Sequence, residues 1–167
     1  MGLTRRTYLT VLSGAALWCF LLVAAPLAVS AGPPASLAGE AIYRFFHPVC
    51  HQIGERSLQL AGHPLAVCAR CSAIYVAFLL GVLVFPLVRS PYAYTGLSRG
   101  WIAAALVPML ADVAANLAGW HGAGVGTRLL TGGVFGFAAA FAVLPPGLQA
   151  VREMAARRAP RREVAGP

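Results

Sequence analysis

The sequence predicts an all-α integral membrane bundle of four transmembrane helices, and three observations carry this prediction. Hydrophobic residues make up 59% of the 167 residues, charged residues make up 11%, and the mean hydropathy is +0.72. This is far more apolar than a soluble domain of the same length. Four apolar runs are long enough, or nearly so, to cross about 30 Å of hydrocarbon as helices. The charged residues are mostly arginines grouped near the ends of these runs, as membrane topology signals are.

The four apolar runs define the expected transmembrane domain. They cover about residues 8–30, 72–88, 101–120 and 127–144. Trp101 and Trp120 bracket the third run, where the aromatic belt of a membrane interface would place them. Gly132 and Gly136 stand in GxxxG spacing in the fourth run, a spacing that lets helices approach closely in lipid. We expect one domain over residues 1–150 and a basic tail over residues 151–167.

The arginines predict that both termini lie in the cytoplasm, because cytoplasmic segments carry an excess of positive charge. The segments concerned precede the first run, connect the second to the third, and form the tail; their arginines are Arg5, Arg6, Arg89, Arg99, Arg152, Arg157, Arg158, Arg161 and Arg162. The connection between the third and fourth runs has no formal charge, and residues 31–71 carry balanced charges before Arg70. We therefore expect residues 31–71 on the extracytoplasmic side of the plasma membrane. Alternatively, the first run is a cleaved secretory signal, which would leave three spans.

The expected partner of this chain is the lipid bilayer. The sequence has no basic stripe interleaved with exposed aromatic residues and no phosphate-binding loop, so nucleic-acid binding is not expected. In the loop over residues 31–71, Leu37, Ala41 and Phe45 recur at helical spacing before Pro48. This pattern predicts a short amphipathic helix lying on the membrane surface.

Three of the four cysteines lie in or next to this loop and are the candidate metal ligands. Cys68 and Cys71 form a CxxC pair, whose spacing suits one metal ion or a redox-active disulfide, and Cys50 adds a third sulfur. Either His51 or His47 would complete a tetrahedral set, and His63 belongs to the same loop. Zinc is the favoured ion and copper the second. A structural disulfide and a thiol-redox centre stay open, and Cys19, inside the first run, is most simply a packing residue.

A carboxylate inside the third run is the second unusual feature. Asp112 lies about 10 Å below the interface at 1.5 Å per residue, and an intramembrane charge is costly unless it is paired. Arg128 opens the fourth run, with Thr131 nearly one turn further along, so Arg128 is the expected partner of Asp112. The Asp112–Arg128 pair would be either a structural ion pair that fixes helix register or the floor of a polar pocket. The roof of that pocket would be the cysteine cluster with Arg56 and Arg70, and the pocket would attract an anionic lipid or a small anion.

At these residues the sequence resembles a bacterial and archaeal family of small predicted membrane proteins, a domain of unknown function numbered 2085. The family pattern is matched over about Cys50 to Gly136 by Cys50-His51-Gln52, Arg56-Ser57, Gly62, Cys68-Ala69-Arg70-Cys71, Tyr75, Asp112, Arg128 and Thr131-Gly132. The sequence departs from it at Gly54, Leu58, Ser72-Ala73 and Val113, where proline, phenylalanine, Thr-Gly and glycine are usual. No departure removes a candidate ligand.

The resemblance implies that His51 rather than His47 belongs to the signature, and it adds Gln52 and Tyr75 to the polar pocket. It implies no activity, so whether the protein is an enzyme stays open. The leading hypothesis is a membrane protein with an extracytoplasmic-side Cys/His metal site. The alternatives are a membrane thiol-disulfide oxidoreductase, which is disfavoured by the odd number of loop cysteines, and a lipid- or anion-binding membrane protein.

Overall fold

Each apolar run forms a helix, because a helix satisfies its own backbone hydrogen bonds and can therefore cross lipid. The computed structural model describes residues 2–88, 99–120 and 124–158. These residues form α1 (Gly2–Ser30), α2 (Ala35–Phe46), α3 (Ala69–Val88), α4 (Arg99–Leu117) and α5 (Val125–Arg158), with a 3-10 turn at Gly54–Arg56 and a hairpin of β1 (Gln59–Leu60) and β2 (His63–Pro64). Four of the helices, α1, α3, α4 and α5, are long and apolar enough to span a membrane. The predicted all-α membrane bundle is confirmed.

The helix bounds differ from the expected spans mainly in α5. This helix has 34 residues and contains Pro145 and Pro146, so the expected fourth span and the first part of the expected tail belong to one helix. Helix α4 ends at Leu117, three residues before Trp120. Arg89, Arg161 and Arg162 lie outside the described residues, as does the rest of the tail after residue 158.

The most extensive helix contact in the described bundle joins α3 to α5, and glycines line it. A Cβ atom at position 132 would lie 2.6 Å from the Arg70 carbonyl oxygen, and one at position 136 would overlap the Ile74 carbonyl. From the other helix, a Cβ at Gly81 would lie 2.6 Å from the Ala140 Cβ. Only residues without a side chain fit at these distances, so the close approach expected from the GxxxG spacing is confirmed.

Helix α2 folds back along the end of α1. A Cβ atom at Gly39 would lie 2.7 Å from Val29 Cγ2, so glycine is needed where the two helices cross. Phe46, at the end of α2, is fully buried, whereas Leu37 and Phe45 are exposed. The predicted amphipathic helix is thus confirmed as a helix with one buried and one exposed apolar face.

The bundle has two cores, one at each end. The first contains Leu22, Ala25, Phe46, Cys50, Ala66 and Val67, and we call this end of the bundle the cysteine end. The second contains Val82, Phe85, Ala140, Phe141, Leu144 and Leu148. At this opposite end the Tyr8 hydroxyl donates to the Val82 carbonyl (2.9 Å), and Arg152 Nε donates to Thr4 Oγ1 (2.7 Å). Both hydrogen bonds fasten the first turns of α1 to the α3–α5 pair.

Replacing Gly136 by alanine should destabilise the bundle, because the added methyl group must push the Ile74 backbone away. We expect a loss of about 2 kcal/mol and a melting temperature in detergent that falls by about 5 °C. Gly133→Ala is the matched control, since no atom lies within 4 Å of a Cβ at that position and alanine favours a helix. Equal melting temperatures for the two variants would contradict the proposed role of the α3–α5 contact.

Candidate metal centre

Three cysteine sulfurs meet at the cysteine end of the bundle. Cys50 follows α2, Cys68 immediately precedes α3, and Cys71 lies in the first turn of α3. Their Sγ atoms all lie within 4.8 Å of one another, and all are free thiols. Cys50 is 6% exposed and the other two are half-buried. We call these three residues the cysteine triad.

Local backbone geometry brings Cys50 to the other two cysteines. The chain tightens at the end of α2, where the amides of Val49 and Cys50 both donate to the carbonyl of the buried Phe46 (3.1 and 3.0 Å). The Cys68 amide then donates to Cys50 Sγ at 3.2 Å. This bond crosses the loop directly, so the sulfur of Cys50 is held at the entrance to α3.

Gln52 fastens the two ends of this loop together. Its Nε2 donates to the Tyr43 carbonyl at 2.7 Å and to the Ala66 carbonyl at 2.8 Å, which uses both hydrogens of the amide group. Its backbone is in the left-handed region, with φ of 51°. The expected pocket residue Gln52 is therefore a crosslink between α2 and the segment just before Cys68.

A small hairpin between the two halves of the loop was not predicted. Ala61 and Gly62 form its turn with φ angles of 52° and 80°, and the Leu65 amide donates to the Leu58 carbonyl at 2.8 Å. Two positive φ angles in succession are typical of a tight hairpin turn. Gly62 was the one residue in the sequence that indicated this turn, since glycine readily adopts a positive φ. Alanine, which precedes it, is unusual in such a turn. The Tyr43 hydroxyl donates to the carbonyl of Pro64 in this hairpin.

Aromatic rings enclose the triad on one side. The Trp18 ring lies 4.9 Å from the Phe46 ring and 5.6 Å from the Tyr75 ring, measured between centroids. Trp18 and Tyr75 both pack against the core that contains Cys50. Tyr75, which the sequence placed in the polar pocket, follows Cys71 by one turn of α3. The core that contains Cys50 is therefore bounded by aromatic rings, and the half-buried Cys68 and Cys71 pack against the same core.

The sulfurs also affect one another electrostatically. Hydrogen bonding from Cys71 lowers the pKa of the Cys68 thiol to about 5, against the opposing effect of burial. Cys68 also stands at the amino-terminal end of α3, where the helix dipole favours a negative charge. Thiolates are the form of cysteine that binds metals, so Cys68 is suited to bind a metal ion.

His47, His51 and His63 do not join the triad. Within the described residues, the group of mutually close ligand atoms contains three sulfurs and no histidine nitrogen. His47 and His51 are exposed and His63 is half-buried in the hairpin. Cys50 is buried, and its neighbour His51 is turned outward. Cys19, half-buried in α1, also lies outside the group.

The expected partner of Asp112 was wrong: its carboxylate forms an ion pair with Arg70. The missing side chain of Gly132 makes this ion pair possible. Arg70 Cγ lies so close to Gly132 that it would be 3.2 Å from a Cβ atom at that position. The stem of Arg70 can therefore pass over α5 and reach α4. Asp112 is 7% exposed, inside the bundle.

Arg128 is equally buried and donates from Nη2 to Asn116 Oδ1 at 3.1 Å. Asn116, one turn after Asp112, donates from Nδ2 to the Asp112 carbonyl at 3.0 Å. Asn116 was not predicted as a site residue, although its spacing from Asp112 on one helix face was a signal. The Thr131 hydroxyl donates to the Thr127 carbonyl of its own helix, and Arg56 is exposed. The polar residues that converge are thus Arg70, Asp112, Asn116 and Arg128.

Removing the Gln52 crosslink should open the loop around Cys50. Gln52→Glu replaces an amide donor by an acceptor facing two carbonyls, so both hydrogen bonds are lost at about 1–3 kcal/mol each. We expect Cys50 in the metal-free protein to be alkylated by a maleimide roughly tenfold faster or more. Gln59→Glu is the matched control, since Gln59 is exposed and its one bond is 3.5 Å long. An unchanged alkylation rate in Gln52→Glu would show that the amide does not hold the loop.

Breaking the Arg70–Asp112 pair should lower the free energy of unfolding. Asp112→Asn leaves the Arg70 guanidinium without its carboxylate, a change that costs about 3 kcal/mol for a buried pair. Removing both charges in Arg70→Gln/Asp112→Asn should recover part of this loss. Glu40→Gln breaks the exposed Arg44–Glu40 pair and should cost less than about 0.5 kcal/mol. Thermal unfolding in detergent measures all three; similar effects of Asp112→Asn and Glu40→Gln would exclude a structural role for the buried pair.

Comparison with known proteins places the chain in a family. The family described as "predicted membrane protein (DUF2085)" matches residues 50–142. The chain is also similar to the uncharacterized protein MJ1492 of Methanocaldococcus jannaschii, with 33% identity over 104 residues, which cover 62% of this chain and 67% of the relative. No solved structure matches the chain. The family match covers more than half of the sequence, and this multi-pass membrane protein therefore belongs to the DUF2085 family.

Proposed function

We propose that the cysteine triad binds one soft or borderline metal ion, so that the protein is a membrane protein with a metal centre at one end of its bundle. The observation that carries this proposal is the convergence of three sulfurs from two chain segments to within 4.8 Å. Cys50 and Cys68 are 18 residues apart, so their meeting is a product of the fold and not of local spacing.

The spacing of the sulfurs supports metal binding. Zinc–sulfur bonds of about 2.3 Å place tetrahedral sulfurs about 3.8 Å apart, a spacing compatible with sulfur separations of at most 4.8 Å. The Gln52 crosslink and the Cys68 amide already hold the loop near this geometry. Thiolate ligands suit zinc, the ion favoured by the sequence, and monovalent copper.

The placement of the centre in the membrane is part of the proposal. The excess of arginine in the connection between α3 and α4 and in the tail supports cytoplasmic termini and an extracytoplasmic cysteine end. The exposed Leu37 and Phe45 on α2 would then face the interface of the outer leaflet. The partner of the bundle surface is the lipid bilayer, and the tail and the arginines near the interface are suited to anionic lipid.

Metal analysis of the protein purified in detergent tests the proposal. We expect about one equivalent of metal per chain in the wild type and in Cys19→Ser, whose sulfur lies outside the triad. Cys50→Ser should lose most of the metal, because removing one of three ligands weakens binding by more than about a hundredfold. Equal metal content in Cys50→Ser and Cys19→Ser would reject the triad as the site.

A thiol-disulfide oxidoreductase is the second candidate function. The observation that favours it is the position of Cys68 and Cys71 around the amino-terminal end of α3, since CxxC pairs at helix starts serve redox chemistry. Counting free thiols before and after reduction separates the two functions. A metal-free protein with a Cys68–Cys71 disulfide would support the redox function, and a metal-loaded protein with three reduced loop thiols would support the metal centre.

A further inference from the structure

We infer that a second site, formed by Arg70 and Arg128 at the cysteine end of the bundle, binds an anionic phosphate group. The site is separate from the cysteine triad and needs no metal ion. The phosphate belongs either to the head group of an anionic phospholipid or to inorganic phosphate. Both ligands share the same chemistry at the arginines, and titration with each of them separates the two sources.

The buried charges at this end of α3, α4 and α5 do not balance. Arg70 forms an ion pair with Asp112. Arg128 is as buried as Asp112, at 7% exposure, and donates to the uncharged amide oxygen of Asn116. The converging residues therefore hold two guanidinium groups and one carboxylate. Arginine stays charged in proteins, so the cluster has an excess of one positive charge, which is costly inside a membrane unless it is compensated.

The other carboxylate side chains of the protein do not compensate this charge. Those in the described residues are exposed, and they belong to Glu40, Glu55 and Glu153. Glu163 lies outside the described residues, five positions after Arg158 at the end of α5. Five residues reach at most about 18 Å, whereas Arg158 is about 45 Å from Arg128 along the helix. The missing negative charge therefore has to come from a ligand.

The Arg70 guanidinium still has a donor to offer. Its Nε atom is buried and has no hydrogen-bond partner among the described residues, while Nη2 is used by Asp112. A buried donor without an acceptor is unfavourable. The Arg70 side chain as a whole is 17% exposed, so it is not sealed from a ligand. Phosphate oxygens are the acceptors that guanidinium groups bind best, and a phosphate here would supply both the charge and the acceptor.

An apolar groove close to the cluster can hold the acyl chain of a phospholipid. It has a volume of about 780 Å³ and lies between α3, α4 and α5, within the range of about 300–1,000 Å³ that is typical of ligand sites. The lining residues nearest to the cluster are Ala77, Ala105 and Gly133. Ala77 follows Arg70, and Ala105 precedes Asp112, by two helical turns or about 10 Å. An acyl chain crosses half of the hydrocarbon core, about 15 Å, so it would reach the groove from a phosphate at Arg70.

Thermal unfolding in an uncharged detergent at constant ionic strength tests the site. The wild type is titrated with inorganic phosphate against chloride, with phosphatidylglycerol, and with phosphatidylcholine of the same acyl chains. We expect phosphatidylglycerol to raise the melting temperature by about 5 °C, because a ligand that binds the folded state stabilises it. Phosphatidylcholine should have no such effect, since its own ammonium group balances its phosphate.

Four variants separate charge, position and source. Arg128→Gln removes the excess charge and should weaken phosphate binding about tenfold or more, whereas Arg128→Lys keeps the charge and should retain most of the response. Arg44→Gln is the matched control, because it removes an exposed arginine from the same end of the bundle. Gly133→Leu fills the groove, and no atom lies within 4 Å of a Cβ at that position. It should abolish the response to phosphatidylglycerol and leave a response to inorganic phosphate unchanged.

Two results support the site and identify its ligand. A response to phosphatidylglycerol that is lost in Gly133→Leu identifies the phospholipid, and a response to inorganic phosphate identifies the free anion. No response to either ligand, or an equal response to phosphatidylcholine, would overturn the site, and both of these measurements use the wild type alone. An equal response of Arg128→Gln and Arg44→Gln would overturn it as well.

Discussion

The close contact between α3 and α5 is the constraint on which the rest of the structure depends. Gly132 and Gly136 let the backbone of α3 lie directly on α5, and in lipid such packing replaces the hydrophobic effect as the force that holds helices together. This contact sets the position of the first turn of α3, which carries Cys71 and follows Cys68. It also leaves room for the stem of Arg70 to pass over Gly132 and reach Asp112. Larger residues at these two glycines would displace Cys68, Cys71 and the buried ion pair together.

The contacts that hold the loop cysteines and the contact that holds α4 meet in the segment Cys68-Ala69-Arg70-Cys71. The two cysteines face the loop, where Gln52 and the Cys68 amide hold Cys50 close to them. Arg70, between them in the sequence, reaches α4 through Asp112. The position of α4 and the geometry of the sulfurs are therefore fixed by neighbouring residues of one helical turn. A buried charge pair is costly to break, so this turn is a rigid support for the sulfurs.

Much of the architecture could be read from the sequence. The apolar runs predicted four spans, Leu37 to Phe45 predicted α2, and the three loop cysteines were expected to cluster. The expected partner of Asp112 was wrong: Arg128 is nearer to Asp112 along the chain, but Arg70 forms the ion pair. Asn116 and the hairpin at Ala61 and Gly62 were not predicted. His51, the favoured fourth ligand, has an exposed side chain. The Arg70–Asp112 distance depends on helix packing, and the place of His51 depends on the loop, whereas Asn116 and the hairpin had only local signals in the sequence.

The sequence by itself determined that this chain is a bundle of membrane-spanning helices, because in lipid an apolar segment of sufficient length has to satisfy its backbone hydrogen bonds internally. It also determined which residues carry chemistry, because cysteines and buried charges stand out against an apolar chain. The tertiary structure decided which of these residues meet. Arg70 rather than Arg128 pairs with Asp112, and Cys50 joins Cys68 and Cys71 without His47, His51 or His63. Such choices depend on the rotation and separation of packed helices and on loop hydrogen bonds, and spacing along the chain encodes neither.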